Sequence, residues 1–149
     1  MIDPVAALFQ FVRASTAITD ALGTVAIGTG DEPAIFEETA PPGFEIDEPA
    51  IIISSPHNAP RDDTSTCVGR EYSMYVRVFA RVITDDGATG YEALNDAAEI
   101  LARTLHNSQP AIDGARTSRI SVNGPNRAPT DNPSIGGRVL LLRWNITET

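Results

Sequence analysis

The sequence predicts an α+β fold: one antiparallel or mixed sheet of about four to five strands, two helices packed on one face, and long protruding loops. Three observations lead there. Two segments, Val5 to Val12 and Tyr91 to Leu105, carry apolar residues at helical spacing. Two others, 71–83 and 138–147, alternate with period two. Between them lie stretches broken by glycine and proline, 11 of each in 149 residues. A chain of that length is expected to form one domain, 1–149, and to bury a core without metal or disulfide.

The first helix is signalled by Asp3 as N-cap and Pro4 as first helical residue. Val5, Leu8, Phe9 and Val12 then mark its buried face. Ser15 and Thr16 interrupt it, and Ala17–Leu22 reads as a short second helical turn closed by Gly23. Residues 24–48 read as irregular, with short strands at Val25–Ile27 and Ala34–Phe36. Ala50–Ser55 is β-branched and bounded by Pro49 and Pro56, as a buried strand would be. Pro56–Gly69 reads as a long polar loop.

Glu71–Ile83 is the clearest strand, with Tyr72, Met74, Val76, Val78, Ala80 and Val82 on its core parity. The turn Asp85-Asp86-Gly87 ends it. Thr89 and Glu92 then match a capping box. The helix after them places Tyr91, Leu94, Ala98, Leu101 and Leu105 on one face, with Glu99 and Arg103 as an i,i+4 pair. Thr117–Asn123 reads as a strand and Gly124–Gly137 as a further long loop. Arg138–Thr147 is the final strand, with Leu140, Leu142, Trp144 and Ile146 inward.

Signals of catalysis are poor. His57 lies in a loop, and His106 is placed as a cation at a helix C-terminus. Cys67, His57 and Asp62 or Asp63 fall within eleven residues, but nucleophile and base usually come from separate rigid elements. Gly28-Thr29-Gly30 lacks the third glycine and the following helix of a dinucleotide loop. A single cysteine excludes an internal disulfide and a multi-cysteine zinc site. No catalytic residue, cofactor or metal is expected. The first residues carry an acid where a signal peptide carries a base, and no apolar run spans a membrane.

Charge is the unusual feature. The net charge is -9, and all 11 basic residues are arginine. Residues 1–60 hold nine acids and one arginine; residues 61–149 hold eleven acids and ten arginines. Seven of the N-terminal acids fall in one stretch: Asp31, Glu32, Glu37, Glu38, Glu45, Asp47 and Glu48. Such a balance argues against general nucleic-acid binding, which needs cationic surface. Arg116, Arg119, Arg127, Arg138 and Arg143 cluster in the C-terminal third. They either balance local acids or meet the acidic segment of a neighbouring copy, a role that suits the bidentate guanidinium.

The order of these motifs resembles a known family. Val5-x-x-Leu8-Phe9, Ala17-Ile18-x-x-Ala21-Leu22-Gly23, Ala34-Ile35-Phe36, Ala40-Pro41-Pro42-Gly43, Pro49-Ala50-Ile51-Ile52, Tyr75–Arg81, Tyr91-Glu92-Ala93-Leu94 and the closing apolar strand together look like the tail terminator, or tail completion, proteins of long-tailed bacteriophages. The resemblance implies a non-enzymatic virion protein of the tail or neck, assembled in the host bacterial cytoplasm. It implies a homo-oligomeric ring, usually a hexamer, that caps the tail tube protein, stops elongation and joins the head–tail connector. DNA would pass through the ring without being bound, and the Asp31–Glu48 acids would line or rim that channel. Arg61, Asp62 and Asp63 on one loop, and Arg127 and Asp131 on another, are then the candidates for partner contact. A connector stopper nearer the portal is the neighbouring alternative, and an acidic DNA-mimicking inhibitor the alternative from another class.

Overall fold

The computed structural model describes residues 3–27, 30–54, 57–63, 68–83, 87 and 90–148; of Ile27, 57–63 and Val68 it describes the backbone. The N-terminal helix forms as the sequence dictates. α1 spans Pro4–Ala14, and the Asp3 carboxylate accepts from the Ala6 N–H at 3.1 Å. Satisfying that orphan donor is worth about 1 kcal/mol. Pro4, Val5, Leu8 and Val12 are buried. Ser15 takes an extended conformation and breaks the helix before α2, Thr16–Thr19.

The sheet is built on two long strands. β6 (Val68–Arg81) and β9 (Ile135–Glu148) pair antiparallel along their whole length, from Val68 opposite Glu148 to Arg81 opposite Ile135. Their inward parities coincide: Tyr72 faces Trp144, Met74 faces Leu142, and Val76 faces Leu140. All six are buried. The free edge of β6 is shared by β4 (Ala50–Ile53), against Val76–Phe79, and β5 (His57–Asp63), against Val68–Ser73. The free edge of β9 is shared by β7 (Ala115–Thr117) and β8 (Ser121–Arg127). β3 (Ile35–Glu37) adds in parallel outside β4. A separate hairpin pairs β1 (Thr24–Ile27) with β2 (Gly30–Pro33).

The second long helix, α3 (Gly90–Leu105), lays Leu94, Ala97, Ala98, Leu101 and Leu105 on the inner face of β6 and β9. Its start is pinned close to the sheet, because Gly90 N–H donates to the Val82 carbonyl at 3.2 Å. Its end turns at Asn107, which has φ +63 and donates to the Ile120 carbonyl. The buried Trp144 indole donates to the Ser118 carbonyl at 3.0 Å, so its polar atom is satisfied. On the outer face a smaller cluster of Ala34, Phe36 and Ala50 is covered by Phe44, whose ring meets Phe36 edge-on at 4.9 Å.

The α+β class and the two packed helices therefore hold, and the sheet is five strands wide along β3-β4-β6-β9-β7. Several boundaries differ. Pro56–Gly69 is not a loop: 57–63 is strand β5, and β6 begins at Val68. β5 is held by main-chain bonds to β6, so no apolar alternation marks it. Gly124–Gly137 is a loop only from Ala128 to Ser134, because β8 runs on to Arg127. A register shift between Asn123 and Asn126 absorbs Gly124, whose φ of +117 suits glycine. The single strand expected over 117–123 is two, broken where Ile120 dips into the core. Residues 24–48 contain an unexpected strand, β2.

Gly23 does not cap α2; Asp20 does, and a Cβ on Gly23 would meet Glu48 Cβ at 2.8 Å. Glu99 and Arg103 make no ion pair. His106 Nδ1 accepts from the Val122 N–H of β8 at 3.2 Å. The Asp85-Asp86 turn, the Thr89 cap, Gly28, Thr29 and Cys67 lie outside the described residues.

Gly90 supplies a test of the tight β6–α3 connection. Alanine normally stabilises a helix over glycine by about 1 kcal/mol. Here an added Cβ would stand 1.9 Å from the Arg81 carbonyl oxygen. Gly90→Ala is expected to reverse the usual sign and destabilise by more than ~1 kcal/mol in urea unfolding.

Candidate functional site: the charged edges of the sheet

Among the described residues no polar side chain is buried, and no group of three or more His, Cys, Asp or Glu could hold a metal. The charged side chains described lie at the surface. No described helix is long and apolar enough to cross a membrane.

One row of Cα partners crosses the whole sheet: Ile35, Ile51, Val78, Arg138 and Arg127. Four strand spacings make it about 19 Å long. Beyond the start of β4, beside Arg81 and not at an end of that row, stand Glu45, Asp47 and Glu48, all exposed. With Gly23, Thr24, Ala34 and Phe44 they line a cleft of about 270 Å³. Phe44 packed on Phe36 fixes this segment, and the Arg81 N–H donates to the Asp47 carbonyl at 2.9 Å. Arg81 Nε also lies 3.7 Å from the Asp47 carboxylate.

At the Arg127 end of the row lies a cleft of about 570 Å³. Its charged rim is Arg127, Arg138 and Asp131, with Tyr91 beside them. The backbone around Asp131 is shaped locally: Asn132 Oδ1 accepts from Ser134 N–H at 2.9 Å, and Thr130 Oγ donates to the Ile135 carbonyl at 2.6 Å. Arg138 donates to Asn95 Oδ1 and to the Gly137 carbonyl, both neutral. Among the described residues, neither Arg127 nor Arg138 is ion-paired.

The partner-contact candidates thus separate. Arg127 and Asp131 share one cleft. Arg61, Asp62 and Asp63 lie on β5, with Cα partners Arg70, Gly69 and Val68. Arg70 is eight residues along β6 from Val78, so that group stands roughly 26 Å from the Arg127 row. Both were assigned to loops and both arginines prove to lie on strands, Arg127 as the last residue of β8. His57 and Asp62 are five positions apart on β5, roughly 16 Å in extended backbone, so that strand does not bring them together.

The seven acids are spread over several elements. Asp31 and Glu32 are on β2, and Glu32 pairs with Arg13 of α1. Glu37 ends β3, and Glu38 N–H donates to the Ile53 carbonyl at the far end of β4. Glu45, Asp47 and Glu48 precede β4. Tyr91 and Arg138 are the residues that sequence reasoning missed at the cleft. Tyr91 continues the apolar line of α3, yet it is 39% exposed, because the first helical turn sits level with Val82 at the end of the sheet.

The chain has the fold of a virion component. Over 97% of its length it superposes on 94% of a chain from the virion of a native gene transfer agent particle, with a TM-score of 0.73 and 15% sequence identity. At that identity it is the fold that is shared. No protein-family model and no curated protein matches the sequence.

The exposure of Tyr91 is checked by comparison with Leu94, one turn further on. Tyr91→Ala is expected to change the unfolding free energy by no more than about 0.5 kcal/mol. Leu94→Ala, at a fully buried position, is expected to cost ~2–5 kcal/mol. Urea denaturation of the two variants measures both.

Proposed function

We propose that this protein is a structural virion component that forms a ring on the finished tail tube, stops its elongation and joins the tail to the head connector. The observation that carries the proposal is the fold shared along nearly the whole chain with a component of a gene transfer agent virion. The resemblance of the sequence motifs to tail terminators supplies the finer role. The architecture suits it. The long β6–β9 ribbon carries different short strands on its two sides, and a heterologous contact between unlike surfaces makes a ring when its rotation closes.

The ring's partners are further copies of itself, the tail tube protein and the connector. DNA crosses it as a passenger. A net charge of -9 disfavours phosphate binding, and exposed Asp31, Glu37 and Glu38 are the acids proposed to face the channel. An acidic mimic of DNA is less well supported. The acids are spread over several elements, and Arg13 and Arg81 engage two of them.

The test is tube assembly in the presence and absence of this protein, followed by negative-stain imaging. Expected are tubes of limited length ending in a ring, against overgrown tubes without it. A label on the subunit is expected at the joint between tube and head. A label nearer the portal would make it a connector stopper. A protein that stays monomeric with tube protein present, and leaves tube length unchanged, ends the proposal.

A further inference from the structure

The acids that lead into β4 and the arginines at the β8–β9 edge stand on different parts of one sheet. Ile35, Ile51, Val78, Arg138 and Arg127 are successive Cα partners. The Glu45–Glu48 segment leads into the start of β4, inside β3 and beside Arg81, and Arg127 ends β8 at the far edge. The two clefts are level with each other, because Asp47 is bonded to Arg81 and Ile135, in the arginine cleft, is the Cα partner of Arg81. Asp131 stands with Arg127 and Arg138 on one cleft and Arg81 lies 3.7 Å from Asp47 on the other, so each keeps an excess of one sign among the described residues. Arg127 and Arg138 have no ion pair among the described residues, and Asp47 is 80% exposed beside Arg81.

We infer that the arginine cleft at the β8–β9 edge is the docking surface for a second copy of this chain, which presents its Glu45–Glu48 segment. The inference rests on the ring proposed above and names its subunit interface. Charge complementarity selects the occupant. A neighbour whose β4 approach is set against this cleft brings its Glu45 and Glu48 to Arg127 and Arg138. The guanidinium fork of Arg127 can engage a carboxylate through two parallel hydrogen bonds. Tyr91, exposed on the rim, offers an aromatic surface of the kind enriched at interfaces. The contact is heterologous: each copy uses its arginine cleft as donor and its β4 approach as acceptor, and it makes a ring when its rotation closes. It also removes Glu45, Asp47 and Glu48 from the channel and leaves Asp31, Glu37 and Glu38 to face it.

The test is a charge swap read by native mass spectrometry and sedimentation at moderate salt. Arg127→Glu makes both surfaces acidic. Glu45→Arg with Glu48→Arg makes both surfaces basic. Each variant alone is expected to associate at least tenfold more weakly than the native chain. Mixed in equal amounts, the two are expected to form rings of alternating copies with even membership. Raising salt is expected to dissociate the native ring, because exposed charges are screened.

Far-ultraviolet circular dichroism checks that each variant is folded. If either reversal unfolds, Arg127→Gln and Glu45→Gln/Glu48→Gln replace them, each expected to weaken association on its own. Native rings that tolerate both reversals overturn the interface and leave the ring proposal standing. Folded variants that stay apart on mixing also overturn it. An Arg127→Glu variant that assembles normally but loses binding to a duplex oligonucleotide would make the edge a phosphate site instead. A native chain that never associates overturns both the interface and the ring.

Discussion

The pairing of β6 with β9 is the constraint on which the rest depends. Fourteen residues of one strand meet fourteen of the other without a register shift. Because side chains alternate, this register sets the inward faces of both strands together. Moving either strand by one residue would turn Met74 or Leu142 to solvent and bring Tyr75 or Leu141 inward. Full burial of such a side chain is worth about 1.5–3 kcal/mol, so a slip repeated along the ribbon is prohibitive. The same pairing positions Arg138 beside Val78 and so sets it in the row that ends at Arg127.

Helix, flanking strands and edges all take their places from that ribbon. α3 covers its inner face, and Gly90 and Asn107 mark the points where the chain joins and leaves it. The short strands satisfy its outer hydrogen bonds in pairs, two on each side. The described side-chain polar atoms are either satisfied or solvated. Strand ends, the β4 approach and the 128–134 loop present charges at the surface.

Legibility in the sequence followed physical cause. β6 and β9 were readable because one parity is apolar over many residues: Met74, Val76 and Val78 in one, Leu140, Leu142 and Trp144 in the other. α1 and α3 were readable from caps and spacing. β5 and the part of β8 after Asn123 were not, because their stability comes from main-chain bonds to a neighbour that the local sequence does not reveal. His57–Asp63 carries no alternating apolar set, and β8 contains Gly124 and Pro125, which ordinarily break strands. The gathering of Arg127 and Asp131 was legible as proximity along the chain. The place of Arg138 and Tyr91 beside them was not, since it depends on strand register and on how far α3 extends past the sheet.

The order of elements along the chain has a consequence for how the fold is reached. The residues that pair in the ribbon are far apart in sequence: Val68 meets Glu148, and even the nearest pair joins Arg81 to Ile135. Contacts so distant close slowly, because the loop between them must be ordered before they are rewarded. β9 is also the last of the strands. Until it arrives, Met74, Val76 and Val78 have no partner strand on that side, and a growing chain carries an open apolar edge. The polar residues of β5, already able to fold back on the first half of β6, cover part of its other edge during that interval. The arm that looks least like a strand would then protect the central strand while it waits for β9.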